Sequence, residues 1–209
     1  MTKYVLLERQ NLEFPNFIIY TSFMAKIYIF RHGESYDNAW HDFSGWRDVE
    51  LDNIGIEEAK RIGEELKNEK VTKAYQSDLI RSQHTMQLVL NAQQSPVQPT
   101  TDPRIKERNY GALNGLNKDE IAKIDPEEYK LWHRSYDVPP PNGESIKDVE
   151  KRVLEFLNDE IPTFKKNDII FISAHGNSIR PMRRHFEHLT TEEMCSYENT
   201  PGKIYTYEI

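Results

Sequence analysis

The sequence predicts an α/β protein, a three-layer α/β/α sandwich on a mainly parallel central sheet. Three observations carry that expectation. Short runs rich in Ile, Tyr, Phe and Val alternate with longer segments of helical periodicity, at lengths that suit crossovers between parallel strands. Two of those apolar runs end in the same local design, a histidine followed by a glycine. The 209 residues suffice for one well-buried domain and are short for two.

Ala25–Phe30, bounded by polar residues, reads as a buried strand. Asp52 is placed to cap a helix over Ile54–Leu66, in which Ile54, Ile56, Ala59, Ile62 and Leu66 recur near helical spacing. Val71–Gln76 is a second strand. Asp78 reads as the cap of the next helix, whose apolar face is Leu79, Met86, Leu88, Val89 and Leu90. Three Xaa-Pro steps make Ser95–Pro103 turn-rich and partly extended. Two helices follow, Lys118–Ile124 and Pro126–Tyr136. Pro139, Pro140 and Pro141 are extended, and Asn142-Gly143 is a turn. Ser145 caps a helix over Ile146–Leu157. Asp168–Ile172 is the most apolar strand, Asn177–Phe186 is helical with Pro181 assigned to its first turn, and Lys203–Tyr207 is the last strand. In such sheets ligands bind beyond the carboxyl ends of the strands.

Composition excludes several function classes. The net charge is -7, with 29% charged and 37% hydrophobic residues. An acidic chain gains little from counterion release, which argues against DNA, RNA and anionic membrane surfaces as partners. Cys195 is the sole cysteine, so no intramolecular disulfide forms and no cysteine cluster holds a structural zinc. That usage fits a reducing compartment, and cytoplasmic is the expectation. Glu8, Arg9, Glu13 and Pro15 break the first apolar stretches, which argues against a signal peptide, and no run is long enough for a membrane span. Met24 opens MAKIYIFRHGES in the manner of a natural start. Residues 1–23 therefore read as an N-terminal extension, either disordered or from a misplaced start codon, with a packed extension as the alternative, and residues 24–209 as the folded domain.

The chemistry is concentrated in the two strand ends. IYIF runs into Arg31-His32-Gly33, and IIFIS runs into Ala174-His175-Gly176-Asn177-Ser178. One such pair is a common loop dipeptide; two, each after an apolar strand, place two imidazoles at one sheet edge. There they can share a tetrahedral phosphoryl group, one attacking phosphorus while the other hydrogen-bonds the equatorial oxygens. Imidazole is largely unprotonated near neutral pH, hence a ready nucleophile. The attacking nitrogen must lack hydrogen, so a backbone carbonyl in the Arg31–Ser35 turn is expected to hold the other N–H. Glycine lets the chain turn and a ligand approach, and the following helix start offers N–H groups to an anion. A phosphoryl pocket in an acidic protein needs local cations; the candidates are Arg31, Arg81, Arg108, Lys118, Arg134 and Arg180. Proton transfer calls for a carboxylate, and the residues alone do not choose among Glu107, Glu34 and Glu144.

RHGES at Arg31–Ser35 with Asn38, SGW at Ser44–Trp46, Leu51-Asp52, and Ser77, Leu79, Arg81, His84 and Thr85 resemble the histidine phosphatase superfamily. ERNYGALNGLNK at Glu107–Lys118, SYDVPPP at Ser135–Pro141, GES at Gly143–Ser145 and AHGNSIR at Ala174–Arg180 bring the likeness to its cofactor-dependent phosphoglycerate mutase branch. General phosphatases of the superfamily usually carry a shorter acidic motif where this chain has Glu107–Lys118. The resemblance runs from Met24 to the last residue and implies a phosphoglycerate mutase-like catalytic domain. It implies that His32 is the phosphorylated nucleophile, that Glu107 is the acid/base, and that Arg31, Arg81 and His175 bind the transferring group. Asn38, Ser44, Gly45, Arg108, Tyr110, Lys118, His133, Arg134, Gly176 and Asn177 are implied as substrate contacts. The implied reaction interconverts 3-phosphoglycerate and 2-phosphoglycerate, primed by 2,3-bisphosphoglycerate and without a metal, in glycolysis and gluconeogenesis. The implied partner is thus a small phosphorylated substrate; a homo-oligomer stays open.

Three departures bear on the outcome. His133-Arg134 stands where the family often has two arginines, which weakens the expected grip on a carboxylate. Only Asn142 separates the prolines from GES, where full-length mutases carry a longer segment. The chain stops at Ile209, where mutases usually continue with a tail that helps close the site. A trimmed lid admits water and predicts more hydrolysis, so a histidine-type phosphatase is the alternative reading. An inactive ligand-binding module is a remote third, opposed by the presence of Arg31, His32, Arg81, Glu107 and His175 together.

Overall fold

The computed structural model describes residues 25–199 and 202–209, so the extension read over residues 1–23 lies outside the described residues. The strands are β1 (Lys26–Arg31), β2 (Lys73–Gln76), β3 (Thr100–Thr101), β4 (Ile169–Ala174) and β5 (Ile204–Glu208). They form one sheet in the order β3-β2-β4-β1-β5. The first four run parallel, and β5 closes the edge antiparallel to β1. The helices are α1 (Tyr36–Ala39), α2 (Asn53–Leu66), α3 (Ile80–Ala92), α4 (Lys118–Ile124), α5 (Pro126–Arg134), α6 (Ile146–Glu160), α7 (Gly176–Glu187) and α8 (Thr191–Ser196).

Alternation along the strands builds the three layers. Ile27 and Ile29 of β1 and Ile170 and Ile172 of β4 pack against Val149, Val153 and Phe156 of α6 and Ile179 and Met182 of α7. Their neighbours Tyr28, Phe30 and Phe171 face the other way, onto Ile62 and Leu66 of α2 and Met86, Val89 and Leu90 of α3. Strands buried on both faces need apolar residues throughout, which is why β1 and β4 read as unbroken hydrophobic runs. Each fully buried Ile or Phe contributes about 1.5–3 kcal/mol. The helix caps anticipated from sequence form at α2, where Asp52 accepts from Gly55 N at 2.8 Å, and at α6, where Ser145 Oγ accepts from Asp148 N at 3.1 Å. Each such cap stabilises by about 1 kcal/mol.

Helices α4 and α5 bury no residue fully. Ile121, Tyr129 and Trp132 rest on a small separate cluster of Phe43, Tyr110 and Leu113. Among the described residues no helix is long and apolar enough to cross a membrane.

Several local expectations give way. The residue capping α3 is Leu79, not Asp78; Asp78 instead pairs with Lys106 at 2.8 Å. Ile54, assigned to the buried face of α2, is 60% exposed, because it lies one residue into the helix and points off the sheet-facing stripe. Pro181 lies beyond the first turn of α7, inside the helix. The shorter strand β2 begins at Lys73, and α5 ends at Arg134 rather than Tyr136.

Candidate active site

Strand register brings the two histidines together. Arg31 pairs with Ala174 across β1 and β4, and His32 N donates to Ala174 O at 3.0 Å. His32 and His175 are therefore each the first residue past the paired ends, at the same height of the sheet. Their ring centroids are 4.8 Å apart, tilted by 55°. Both rings are buried.

The hydrogen bonds fix what each nitrogen can do. His32 Nδ1 lies 2.7 Å from Gly33 O, an acceptor only, so Nδ1 carries the hydrogen and Nε2 the lone pair. Arg81 Nε donates to that Nε2 at 3.3 Å. The carbonyl anticipated in the Arg31–Ser35 turn is thus Gly33 O. Burial, then the charges of Arg81 and Arg31, hold the His32 pKa well below the usual imidazole value, so the ring is neutral at pH 7. On His175, Nε2 lies 2.7 Å from Ser77 Oγ. Ser77 Oγ accepts from Leu79 N at 3.2 Å and keeps its own proton for Nε2; with that proton on Nε2, His175 Nδ1 is the nitrogen that carries hydrogen. That Nδ1 is buried with no partner among the described residues. Burial, then Arg81, lowers the His175 pKa as well.

Arg81, second residue of α3, is fully buried. Its Nη1 donates to Arg47 O and its Nη2 to Gly45 O, both at 2.8 Å, which locks the fork with Nε aimed at His32. Burial lowers its pKa to about 10, so it stays charged at neutral pH.

Contacts with Asn177 of α7 set Glu107 apart from Glu34 and Glu144. Its Oε1 accepts from Arg108 N (2.7 Å), Asn177 Nδ2 (2.9 Å) and Asn177 N (3.2 Å), which leaves Oε2 for a ligand proton. Glu144 is instead consumed by Arg152, at 2.9 Å, and Asn109 N. Glu34 sits beside Asp52 and Glu58, and burial with those neighbours raises its pKa.

Two adjoining cavities open in front of this group, of about 120 and 460 Å³. Arg31, Asn38, Lys118, His133 and Arg134 wall both; Ser44, Gly45, Glu107, Tyr110, Gly176 and Asn177 line the smaller one, and His32 the larger. Lys118 has its pKa lowered by burial and then by Arg31. Burial and the neighbouring cations Arg134, Lys118 and Arg180 push His133 down to about 3, so it is a neutral ring beside Tyr129, 5.0 Å between centroids. Tyr110 holds Asn177 through its hydroxyl at 3.0 Å.

One expected contact is displaced. Arg108 lines neither cavity; it is fully buried, and its Nε donates to Glu144 O at 2.6 Å, strapping the turn that carries Glu144. The backbone N–H groups read as anion donors are also spent internally: Gly33 N on Thr85 Oγ1 (3.1 Å), Glu34 N on Glu58 Oε2 (2.9 Å) and Asn177 N on Glu107. Gly176, the first residue of α7, lines the smaller cavity, and its N–H is left beside the side chains to meet a ligand. Gly33 has a different use from the one expected. A Cβ there would lie 2.1 Å from Gly55 O, so this glycine admits helix α2, whereas at Gly176 the nearest atom is Glu107 Oε2 at 3.7 Å.

Sequence reasoning missed Arg152, which donates to Arg104 O, Lys106 O and Glu107 O at 2.7–2.9 Å and so fixes the Glu107 loop. Bonds from a side chain to distant carbonyls leave no sequence signal. Ser77 was marked only as part of a motif. Arg180 was considered as a cation and does line the smaller cavity, together with Asp42, Glu198 and Asn199, which were not anticipated. Among the described residues no group of His, Cys, Asp and Glu is arranged to hold a metal ion.

Comparison with known proteins fits this geometry. The family model for the Histidine phosphatase superfamily (branch 1) matches residues 27–209. A protein of Rhizobium meliloti (strain 1021) named 2,3-bisphosphoglycerate-dependent phosphoglycerate mutase is 42% identical over 184 residues, covering 86% of this chain and 87% of that one. A Schizosaccharomyces pombe protein named phosphoglycerate mutase is 38% identical over 200 residues, covering 93% and 90%. The solved structure of Bacillus stearothermophilus YhfR matches with TM-score 0.80 at 24% identity, over 88% of this chain and 91% of that one, a likeness of fold. With the family match running across nearly all the described residues, and with relatives this similar over most of their own length, the chain belongs to branch 1 of the histidine phosphatase superfamily.

Proposed function

We propose that the chain is a 2,3-bisphosphoglycerate-dependent phosphoglycerate mutase, interconverting 3-phosphoglycerate and 2-phosphoglycerate through a phosphorylated His32. The observation that carries this reading is the pair of adjacent buried imidazoles that turn different edges to one gap, His32 its bare Nε2 and His175 its Nδ1, which has no partner among the described residues. Relatives at about 40% identity bear the mutase name, which supports the choice of substrate. The Rhizobium relative is itself about as long as this chain, so a compact chain is compatible with that name. Residues 24–209 act as one catalytic domain in this reading, a cytoplasmic glycolytic enzyme.

His32 Nε2 attacks phosphorus while its Nδ1–H stays on Gly33 O, and the bond from phosphorus to the substrate oxygen breaks opposite it. Glu107 Oε2 gives its proton to the leaving alkoxide, then takes one from the hydroxyl that attacks in the reverse sense. Arg81, Arg31 and His175 Nδ1–H meet the equatorial oxygens, where charge accumulates in the transition state. The unpartnered Arg31 Nε and His175 Nδ1 fit a phosphoryl group, and the cavity cations Lys118, Arg134 and Arg180 fit the further anionic groups of 2,3-bisphosphoglycerate. When bound, that molecule supplies the phosphoryl group to the enzyme.

A histidine-type phosphatase is the second reading, favoured by His133: its neutral ring gives a carboxylate less hold than a guanidinium would. One experiment separates the two. Purified protein receives 3-phosphoglycerate with a trace of 2,3-bisphosphoglycerate, and 2-phosphoglycerate and free phosphate are followed together. Rapid isomerisation with little phosphate is expected; phosphate alone would establish the hydrolase, and no acid-labile phosphoenzyme would leave a binding module. The His32→Ala variant should form no phosphoenzyme, and retained turnover would overturn the assignment of the nucleophile.

A further inference from the structure

A carboxylate stands at the mouth of the cationic pocket. Glu198, just after α8, lines both cavities. Its Oε1 accepts from Arg134 Nη2, and its Oε2 lies 4.0 Å from Arg180 Nη2. Arg180 is buried and anchored from behind, with Nη1 donating to Met194 O (2.8 Å) and Cys195 O (2.9 Å). The anchored Arg180 and the partly exposed Arg134 thus form a fork for one carboxylate-sized anion, and Glu198 occupies it. The surrounding charge explains why. Arg134 and Glu198 head the charges acting on Arg180, the first disfavouring and the second favouring its cation. Arg31, Lys118, Arg134 and Arg180 face one another around a single cavity, in which Asp42 and Glu107 are the other carboxylates and Glu198 is the one set against Arg134 and Arg180.

We infer that Glu198 is a specificity-determining residue: it occupies the Arg134–Arg180 subsite as a stand-in for the second anionic group of a ligand. The inference rests on the phosphoryl-site reading given above. A phosphomonoester whose other end is neutral binds without disturbing Glu198. One that carries a carboxylate must displace it, since two carboxylates cannot share the fork without mutual repulsion. The side chain is 74% exposed, so it swings out at low cost, and what the ligand loses is the worth of an exposed ion pair. Glu198 therefore narrows the affinity gap between anionic and neutral ligands instead of blocking the site. Its neighbour Asn199 holds the segment in place, donating from Nδ2 to Gly176 O and accepting from Tyr205 OH at 3.2 Å.

The test compares two ligands that differ only at that end, 3-phosphoglycerate with a carboxylate and glycerol 3-phosphate with a hydroxymethyl group. Dissociation constants are measured by calorimetry for the wild type and for Glu198→Gln, which keeps the shape and removes the charge. The variant is expected to bind 3-phosphoglycerate about three- to fivefold more tightly, the scale of one exposed ion pair, and glycerol 3-phosphate within about twofold of the wild type. Equal tightening of both ligands would reduce Glu198 to a general field effect, and no tightening of 3-phosphoglycerate would remove it from the subsite; either overturns the inference. If neither ligand binds either protein, the phosphoryl-site reading itself fails and takes the inference with it.

Discussion

Ser77→Ala isolates the tautomer of His175. Both residues are fully buried, and the 2.7 Å bond between them is the one contact that holds His175 Nε2. Alanine leaves that nitrogen, and the N–H of Leu79, without a partner in a dry environment. One or two such groups cost about 1–3 kcal/mol of stability, which for a domain of this size lowers Tm by roughly 3–10 °C. The kinetic effect has a different origin. With neither nitrogen pinned, His175 no longer presents Nδ1–H to the phosphoryl oxygens all the time. Removing a preorganised donor outright costs about a hundred- to a thousandfold in kcat, which bounds the effect of His175→Ala. Ser77→Ala should fall short of that, at about tenfold, with KM for 3-phosphoglycerate changed by less than about twofold. The double variant should be no slower than His175→Ala alone, since the hydroxyl acts only through the ring. The assay is steady-state production of 2-phosphoglycerate at saturating substrate, with rapid-quench measurement of phosphoenzyme. A kcat within twofold of wild type for Ser77→Ala, beside a His175→Ala variant slowed a hundredfold, would refute the tautomer argument.

Three further outcomes follow from the geometry. His133→Arg replaces a ring that is neutral at pH 7 by a fixed cation facing the cavity, and should lower KM for 3-phosphoglycerate about three- to tenfold, with an unchanged KM meaning that Arg134 already suffices. Gly33→Ala drives a methyl to 2.1 Å from Gly55 O and should cost several kcal/mol in urea unfolding, about 3 or more, whereas Gly176→Ala, with 3.7 Å of room, should keep its Tm and raise KM by crowding the ligand. His32 and His175 have their pKa values lowered from 6.5 on folding, so below about pH 6.5 the unfolded chain takes up protons that the native state refuses. Their contribution is therefore complete above that pH and declines beneath it by up to about 1.4 kcal/mol per pH unit per group, and His32→Asn should show a shallower loss of stability between pH 6.5 and 5 than the wild type.

Legibility in the sequence followed the range of the interactions. Strands β1 and β4 were readable because burial on both faces demands an unbroken apolar run, and the caps at Asp52 and Ser145 because they join residues three apart. Strand β3 was not, since its two threonines are exposed at the sheet edge and carry no apolar pattern. The site divided the same way. His32, His175 and Arg81 were marked by their places at strand ends, but the order of strands in the sheet, which sets those ends side by side, is not a local property. Ser77 and His175 are 98 residues apart, and Arg152 reaches the Glu107 carbonyl across 45. Apart from the family resemblance, Glu107 is set off from Glu34 and Glu144 only by such contacts. The burial of Arg108 was hidden for the same reason: the carbonyl that its Nε meets comes from a turn 36 residues on.

The cations around His32 serve both halves of the proposed reaction with opposite effect. Before transfer, Arg81 and Arg31 repel a proton from the buried ring and keep Nε2 available, which burial alone would achieve less firmly. After transfer, the same guanidinium groups face a phosphoryl dianion in a site where low polarity magnifies each charge, so what was repulsion becomes stabilisation of the intermediate. Nothing need move between the two states except the hydrogen bond of Arg81 Nε, which exchanges the ring nitrogen for an oxygen of the transferred group. That economy accounts for the extent to which Arg81 is tied down by Gly45 O and Arg47 O. A guanidinium free to swing would shield itself in water before transfer and lose the difference on which the rate depends. By this reasoning, loosening the Gly45–Arg47 loop should slow phosphorylation of His32 more than it weakens substrate binding.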